Sequence, residues 1–141
     1  MRGLFVGSGS DGLQHSDVTS HLLSFYKNKP PSELNVAYIG TATYDLSAPR
    51  IRQTKGLADA GCRILNCEFT NKGDMTLAEL EGVFEKADIM VVSGGNTLFA
   101  HERWKATGVD AMMRDAAKRG CVMTGGSAGA ICWFDGGHSD S

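Results

Sequence analysis

Residues Ile89-Met90-Val91-Val92 form an uninterrupted apolar run, preceded by Asp88 and closed by Ser93-Gly94-Gly95. A strand with one wetted face alternates apolar and polar side chains, so a continuous run requires cover on both faces of a sheet. The chain therefore needs layers above and below its strands. Leu4-Phe5-Val6, Asn35 to Ile39, Cys62 to Cys67 and Cys121 to Thr124 read as further strands. Helical patterns lie between them. One is capped by Asp17 and runs to about Lys27, with Val18, Leu22, Leu23, Phe25 and Tyr26 as its apolar stripe, and Pro30-Pro31 ends it. A second runs from about Ala48 to Ala60 and stops at Gly61, and a third opens at Asp74-Met75-Thr76-Leu77 and ends near Lys86. One helix or a pair fills Thr97 to Lys118, before Gly120. Strands alternating with helices predict a three-layer α/β fold: a mainly parallel sheet, right-handed crossovers and helices on both faces. Ligand sites in such sheets lie beyond the carboxyl ends of the strands, and Gly-rich turns follow Val6, Val92 and Thr124.

The 141 residues suit one α/β domain spanning 1–141. Lys+Arg is 14 and Asp+Glu is 16, so the formal charge of −2 gives no basic field to recruit nucleic acid. No apolar run approaches the roughly 18 residues that suggest a membrane span, and Met1 to Gly7 does not read as a signal peptide. Cys62, Cys67, Cys121 and Cys132 form no C-x-x-C pair, so reduced thiols in a cytoplasmic protein are expected, with Cys121 and Cys132 as small core residues. No His/Cys group has metal-ligand spacing, and no metal is expected.

Chemistry concentrates at Gly125-Gly126-Ser127-Ala128-Gly129, which fits G-x-S-x-G between a strand and the helix-compatible run Ala130 to Phe134. Such an elbow holds serine in a strained turn with its hydroxyl projecting from the sheet. Strand and helix then pack too closely for side chains at the flanking positions, which glycine fills. The amides opening the following helix face developing negative charge, so the Ala128 N–H is a candidate oxyanion donor. The turn Ser93-Gly94-Gly95-Asn96-Thr97 offers a second bare N–H at Gly95, and Asn96 offers an amide to a substrate. The alternative for Asn96 or Thr97 is a plain helix N-cap. Gly7-Ser8-Gly9-Ser10 does not complete G-x-G-x-x-G and has no P-loop lysine, which speaks against a nucleotide role.

A nucleophilic serine needs a base. His21 and His101 fall within helices and read as surface or packing residues, while His15 lies in the first strand-end loop. His138 follows Ser127 within Asp135-Gly136-Gly137-His138-Ser139-Asp140-Ser141 and is the candidate base, with an ordinary loop residue as the alternative.

Val91-Val92-Ser93-Gly94-Gly95-Asn96-Thr97 together with Thr124-Gly125-Gly126-Ser127-Ala128-Gly129-Ala130 resembles the aspartyl dipeptidase (peptidase E) family of serine peptidases, with cyanophycinase more distant. The resemblance implies a fold like that of class I glutamine amidotransferases, with serine in place of their elbow cysteine. It implies hydrolysis of short peptides bearing an N-terminal aspartate, without metal or cofactor. Carried onto this sequence, it makes Ser127 the nucleophile, gives Gly95 and Ala128 the oxyanion amides, and puts Asn96 in the substrate pocket. Asp140 approximately matches the acidic relay member, and Asp135 competes with it. Family members are longer, with their histidine on a later segment. The expected partners are thus a small peptide and a C-terminal fragment of the same polypeptide, with a second copy of the chain left open. A related hydrolase of β-linked aspartyl substrates and a non-catalytic ligand-binding module are the alternatives.

Overall fold

The computed structural model describes residues 1–71 and 74–141. The apolar runs pair as five parallel strands: β1 (Arg2–Val6), β2 (Asn35–Ile39), β3 (Arg63–Leu65), β4 (Ile89–Val92) and β5 (Val122–Gly126). Their order across the sheet is β1-β5-β4-β2-β3. The helices are α1 (Asp11–Gln14), α2 (Ser16–Ser24), α3 (Ser47–Asp59), α4 (Leu77–Lys86), α5 (Thr97–Thr107), α6 (Val109–Lys118) and α7 (Ala128–Ile131), with 3₁₀ turns at Pro31–Glu33 and Thr41–Thr43.

The strand order explains the layering. The steps from β1 to β2 and from β2 to β3 run one way along the sheet, and those from β3 to β4 and from β4 to β5 run back. With a constant hand of crossover, opposite directions put their helices on opposite faces. Leu13, Leu22 and Leu57 of α1–α3 accordingly pack with Val36, Tyr38, Ile89, Val91 and Val122. Leu80, Phe84, Trp104, Met113 and Ala116 of α4–α6 pack on Ile39, Met90, Val92 and Met123. Alternate residues of β4 thus serve two cores, which is why its sequence carries no polar position. Connections leave the adjacent β2 and β4 in opposite directions, opening a crevice beyond Ile39 and Val92.

Several elements differ in extent from the sequence reading. The first helical region is two short helices, and His15 rather than Asp17 caps the second, its Nδ1 accepting from the Asp17 N–H at 3.3 Å. Thr97 to Lys118 is a pair, parted at Gly108 with φ 79°. β3 is shorter than Cys62 to Cys67, while β5 extends into Gly125 and Gly126, paired with Phe5 and Val6 of β1. The helix at 77–86 opens with a capping box, Thr76 and Glu79 each bonding the other's backbone. Among the described residues no helix is long and apolar enough to cross a membrane.

Phe84 is 2% exposed at the centre of the α4–α6 layer. Phe84→Ala should lower unfolding free energy by about 3–5 kcal/mol, as large-to-small core changes do. Urea titration checks it, and a loss under about 1 kcal/mol would contradict this packing.

Candidate active site

Ser127 lies between β5 and α7 with φ 53° and ψ −120°, a region that non-glycine residues seldom occupy. Such a conformation costs of order 1–3 kcal/mol. Surrounding contacts hold it. The Ser127 N–H donates to Val6 O at 3.1 Å, tying the elbow to the end of β1. A Cβ at Gly129 would overlap Val92 O, and one at Gly125 would overlap Gly129 O, so α7 lies directly against the strand ends. Ser127 itself is exposed between the buried Gly126 and Ala128. Its Oγ has no hydrogen bond among the described residues.

The turn after β4 is pinned at three amides. Ser93 N–H donates to Ile39 O at 3.0 Å, Gly94 N–H to Gln53 Oε1 at 3.2 Å, and Asn96 N–H to Ala42 O at 2.8 Å. The Gly95 N–H donates to none of the described residues, and Gly95 is exposed with φ 133°. A side chain there would strike Ala42 O. Ala128, in the first turn of α7, also has an N–H without an acceptor among the described residues. A Cβ at Gly94 would lie 3.4 Å from Ser127 Cβ, 3.0 Å from Gly126 O and 3.2 Å from Gly9 Cα. The turns after β1, β4 and β5 therefore touch. Two unpaired amides lie close to the elbow, one following Ser127 and the other following the glycine packed on it.

Asn96 is half-buried and caps α5, its Oδ1 accepting from Phe99 N–H at 2.9 Å, so the helix-cap alternative is realised. Its Nδ2 remains available and donates to Tyr44 Oη at 3.3 Å. Tyr44, in left-handed backbone with φ 56°, packs against Phe99 with ring centroids 4.7 Å apart and planes tilted by 49°. The next residue, Asp45, fixes this loop by accepting from Phe69 and Thr70 N–H at 3.1 and 2.9 Å. Tyr44 and Gln53 escaped the sequence reading. The available signals were Tyr44's place in a strand-end loop and a polar residue at position 53 on a helix whose neighbours Thr54 and Leu57 are buried.

His138 and Asp140 are exposed and make no hydrogen bond or ion pair among the described residues, so the structure does not join them to Ser127 as a relay. Their segment is laid on α5. Ser139 Oγ donates to Thr97 Oγ1 at 2.9 Å, and Ser141 Oγ accepts from Thr97 and Leu98 N–H at 3.1 and 3.3 Å. His15 is engaged in its cap, and His101 and Asp135 line a hollow of about 470 Å³ that excludes Ser127. Another hollow of about 700 Å³, between α3 and β3, also leaves Ser127 outside. The expected helix from Ala130 to Phe134 is instead a single turn at Ala128–Ile131. Beyond it, Trp133 and Phe134 pack on Phe5 at 6.2 and 5.6 Å between centroids. So short a helix has little macrodipole, and individual amides carry the electrostatics of the site. Burial pushes the Cys132 thiol up to about 12, leaving it neutral and a poor nucleophile.

Residues 4–141 match the family model for peptidase family S51. A Bacillus subtilis (strain 168) protein named uncharacterized peptidase YgaJ is 44% identical over 64 residues, 45% of this chain and 28% of that protein. A Trypanosoma brucei brucei protein named G2/mitotic-specific cyclin-1 is 28% identical over 157 aligned positions, covering 100% of this chain and 46% of that protein. A Listeria monocytogenes EGD-e structure assigned by name to peptidase E superposes with TM-score 0.69 and 25% identity, over 92% of this chain and 59% of that one. The chain thus spans about half or less of the two curated relatives, and 59% of the solved structure.

Ser127→Gly should relieve the elbow strain of about 1–3 kcal/mol, less the roughly 0.5–1 kcal/mol that glycine's extra unfolded-state freedom costs. A net gain of about 1 kcal/mol is expected in denaturant unfolding, with Ser127→Ala near neutral. A Ser127→Gly protein less stable than its parent would contradict the strained geometry.

Proposed function

Because the chain belongs to peptidase family S51, we propose that it acts as a serine peptidase on short peptides, with dipeptides bearing an N-terminal aspartate as substrates. One observation carries this reading: an exposed serine in strained elbow backbone, with two unpaired main-chain amides beside it. Ser127 Oγ attacks the scissile carbonyl as a base takes its proton. The carbonyl oxygen becomes an oxyanion held by the Gly95 and Ala128 N–H groups. Collapse breaks the C–N bond, the base returns its proton to the leaving amine, and water then hydrolyses the acyl-serine by the same route. Asn96 lines the substrate pocket, with Tyr44 beside it.

The base is a histidine on a polypeptide segment outside residues 1–141. This is supported by the absence of any hydrogen bond from the chain's four histidines to Ser127 and by the greater length of the relatives. Asp140, on the segment laid on α5, orients that histidine.

A fluorophosphonate probe, applied to the protein in its natural assembly, should label wild type and not Ser127→Ala. Loss of a triad member should lower hydrolysis by several orders of magnitude. Asp-X dipeptides should be cleaved ahead of β-Asp-X dipeptides and simple esters. An unlabelled wild-type serine would point to a ligand-binding module, and preference for β-linked substrates would move the specificity to that class.

A further inference from the structure

Gln53 is a polar side chain in the layer that α1, α2 and α3 press onto the sheet, and it is only 5% exposed. Taking an amide out of water is unfavourable unless hydrogen bonds replace the lost ones. Its Oε1 accepts the Gly94 N–H at 3.2 Å, a buried contact across 41 residues of sequence. Its Nε2 lies by the turn after β1, where a Cβ on Gly9 would sit 3.4 Å away. One side chain therefore reaches the place where two of the three site turns meet. The hydroxyls of Tyr38 and Ser93 are also buried, with Ser93 and Thr43 beside the Tyr38 phenol oxygen.

The geometry follows from accounting for the donors of this turn. Ser93 and Asn96 donate to backbone carbonyls of β2 and the loop after it, Gly94 donates to Gln53, and Gly95 alone is left over. Gly94 and Gly95 carry no side chains that could fix their shared peptide plane. The Gly94 N–H lies in the Ser93-Gly94 peptide plane, next to the plane that carries the Gly95 N–H, so without an acceptor for Gly94 the first plane loosens and the glycine backbone at Gly94 lets the Gly95 N–H swing with it.

We infer that Gln53 is a positioning residue for the oxyanion site, its amide oxygen holding Gly94 so that the Gly95 N–H faces Ser127. This rests on the serine-peptidase reading above. It reaches the reacting atoms only through the Gly94-Gly95 peptide.

Gln53→Met removes the acceptor at similar volume, and Gln53→Glu keeps an acceptor oxygen. Amide exchange by NMR is measured on all three proteins, alongside the rate of fluorophosphonate labelling of Ser127. Gln53→Met should speed Gly94 exchange at least tenfold while core amides such as Val91 keep their protection. It should slow labelling at least tenfold, and Gln53→Glu should restore most of both. Unchanged Gly94 exchange in a folded Gln53→Met protein overturns the proposal, as does unchanged labelling. Tenfold faster Gly94 exchange in a protein whose wild type never labels supports Gln53 as the holder of the turn. That last result places the fault in the serine-peptidase reading.

Discussion

The ends of β1, β4 and β5 come together with no side chain between them. Gly9 packs on Gly94, Gly94 on Gly126 and Ser127, and Gly129 on the end of β4. Everything about the site depends on this approach of bare backbone. It puts α7 close enough to the sheet for Ser127 to be forced outward, and it brings the Gly94-Gly95 turn alongside the elbow. The energy that sustains the strained serine comes from elsewhere, from the two apolar layers that clamp β4 and β5 in place. A kcal/mol or two of backbone strain is small against burial of that size.

Much of the fold was legible because its strands are covered on both faces. Ile89 to Val92 cannot be read any other way, and alternation with helical segments then dictates parallel pairing. What periodicity could not supply was where elements break. The pause at His15 between α1 and α2 and the left-handed Gly108 between α5 and α6 are local backbone events inside continuous helical patterns. The early end of α7 reflects Trp133 and Phe134 packing on Phe5, a contact across most of the chain length.

The site was legible where chemistry is written in glycine. Ser127, Gly95 and Ala128 were readable from two short motifs, since only a crowded turn demands such residues. Asn96 carried both of its readings into the structure, capping α5 with its oxygen and turning its nitrogen to Tyr44. Tyr44 and Gln53 lie in segments whose local pattern is unremarked, and they become meaningful only when the crevice between β2 and β4 closes on them. His138 looked available because it follows the elbow closely in sequence. Proximity along the chain is no guide once Ser139 and Ser141 lay that segment over α5.

The pairing of β1 with β5 joins Arg2 to Val122 and Val6 to Gly126, and the elbow amide itself bonds to Val6. That ladder closes a loop spanning nearly the whole sequence, so its entropy of closure is met late in folding, after the local helix–strand units have formed. Among the described residues β1 pairs along one side alone, at one edge of the five strands. Edges are the first places from which a sheet opens. The nucleophile's geometry is therefore tied to a strand at the rim of the sheet rather than at its centre. Mild heat or denaturant should release the first strand, and the serine with it, while the helices still give a native circular dichroism signal.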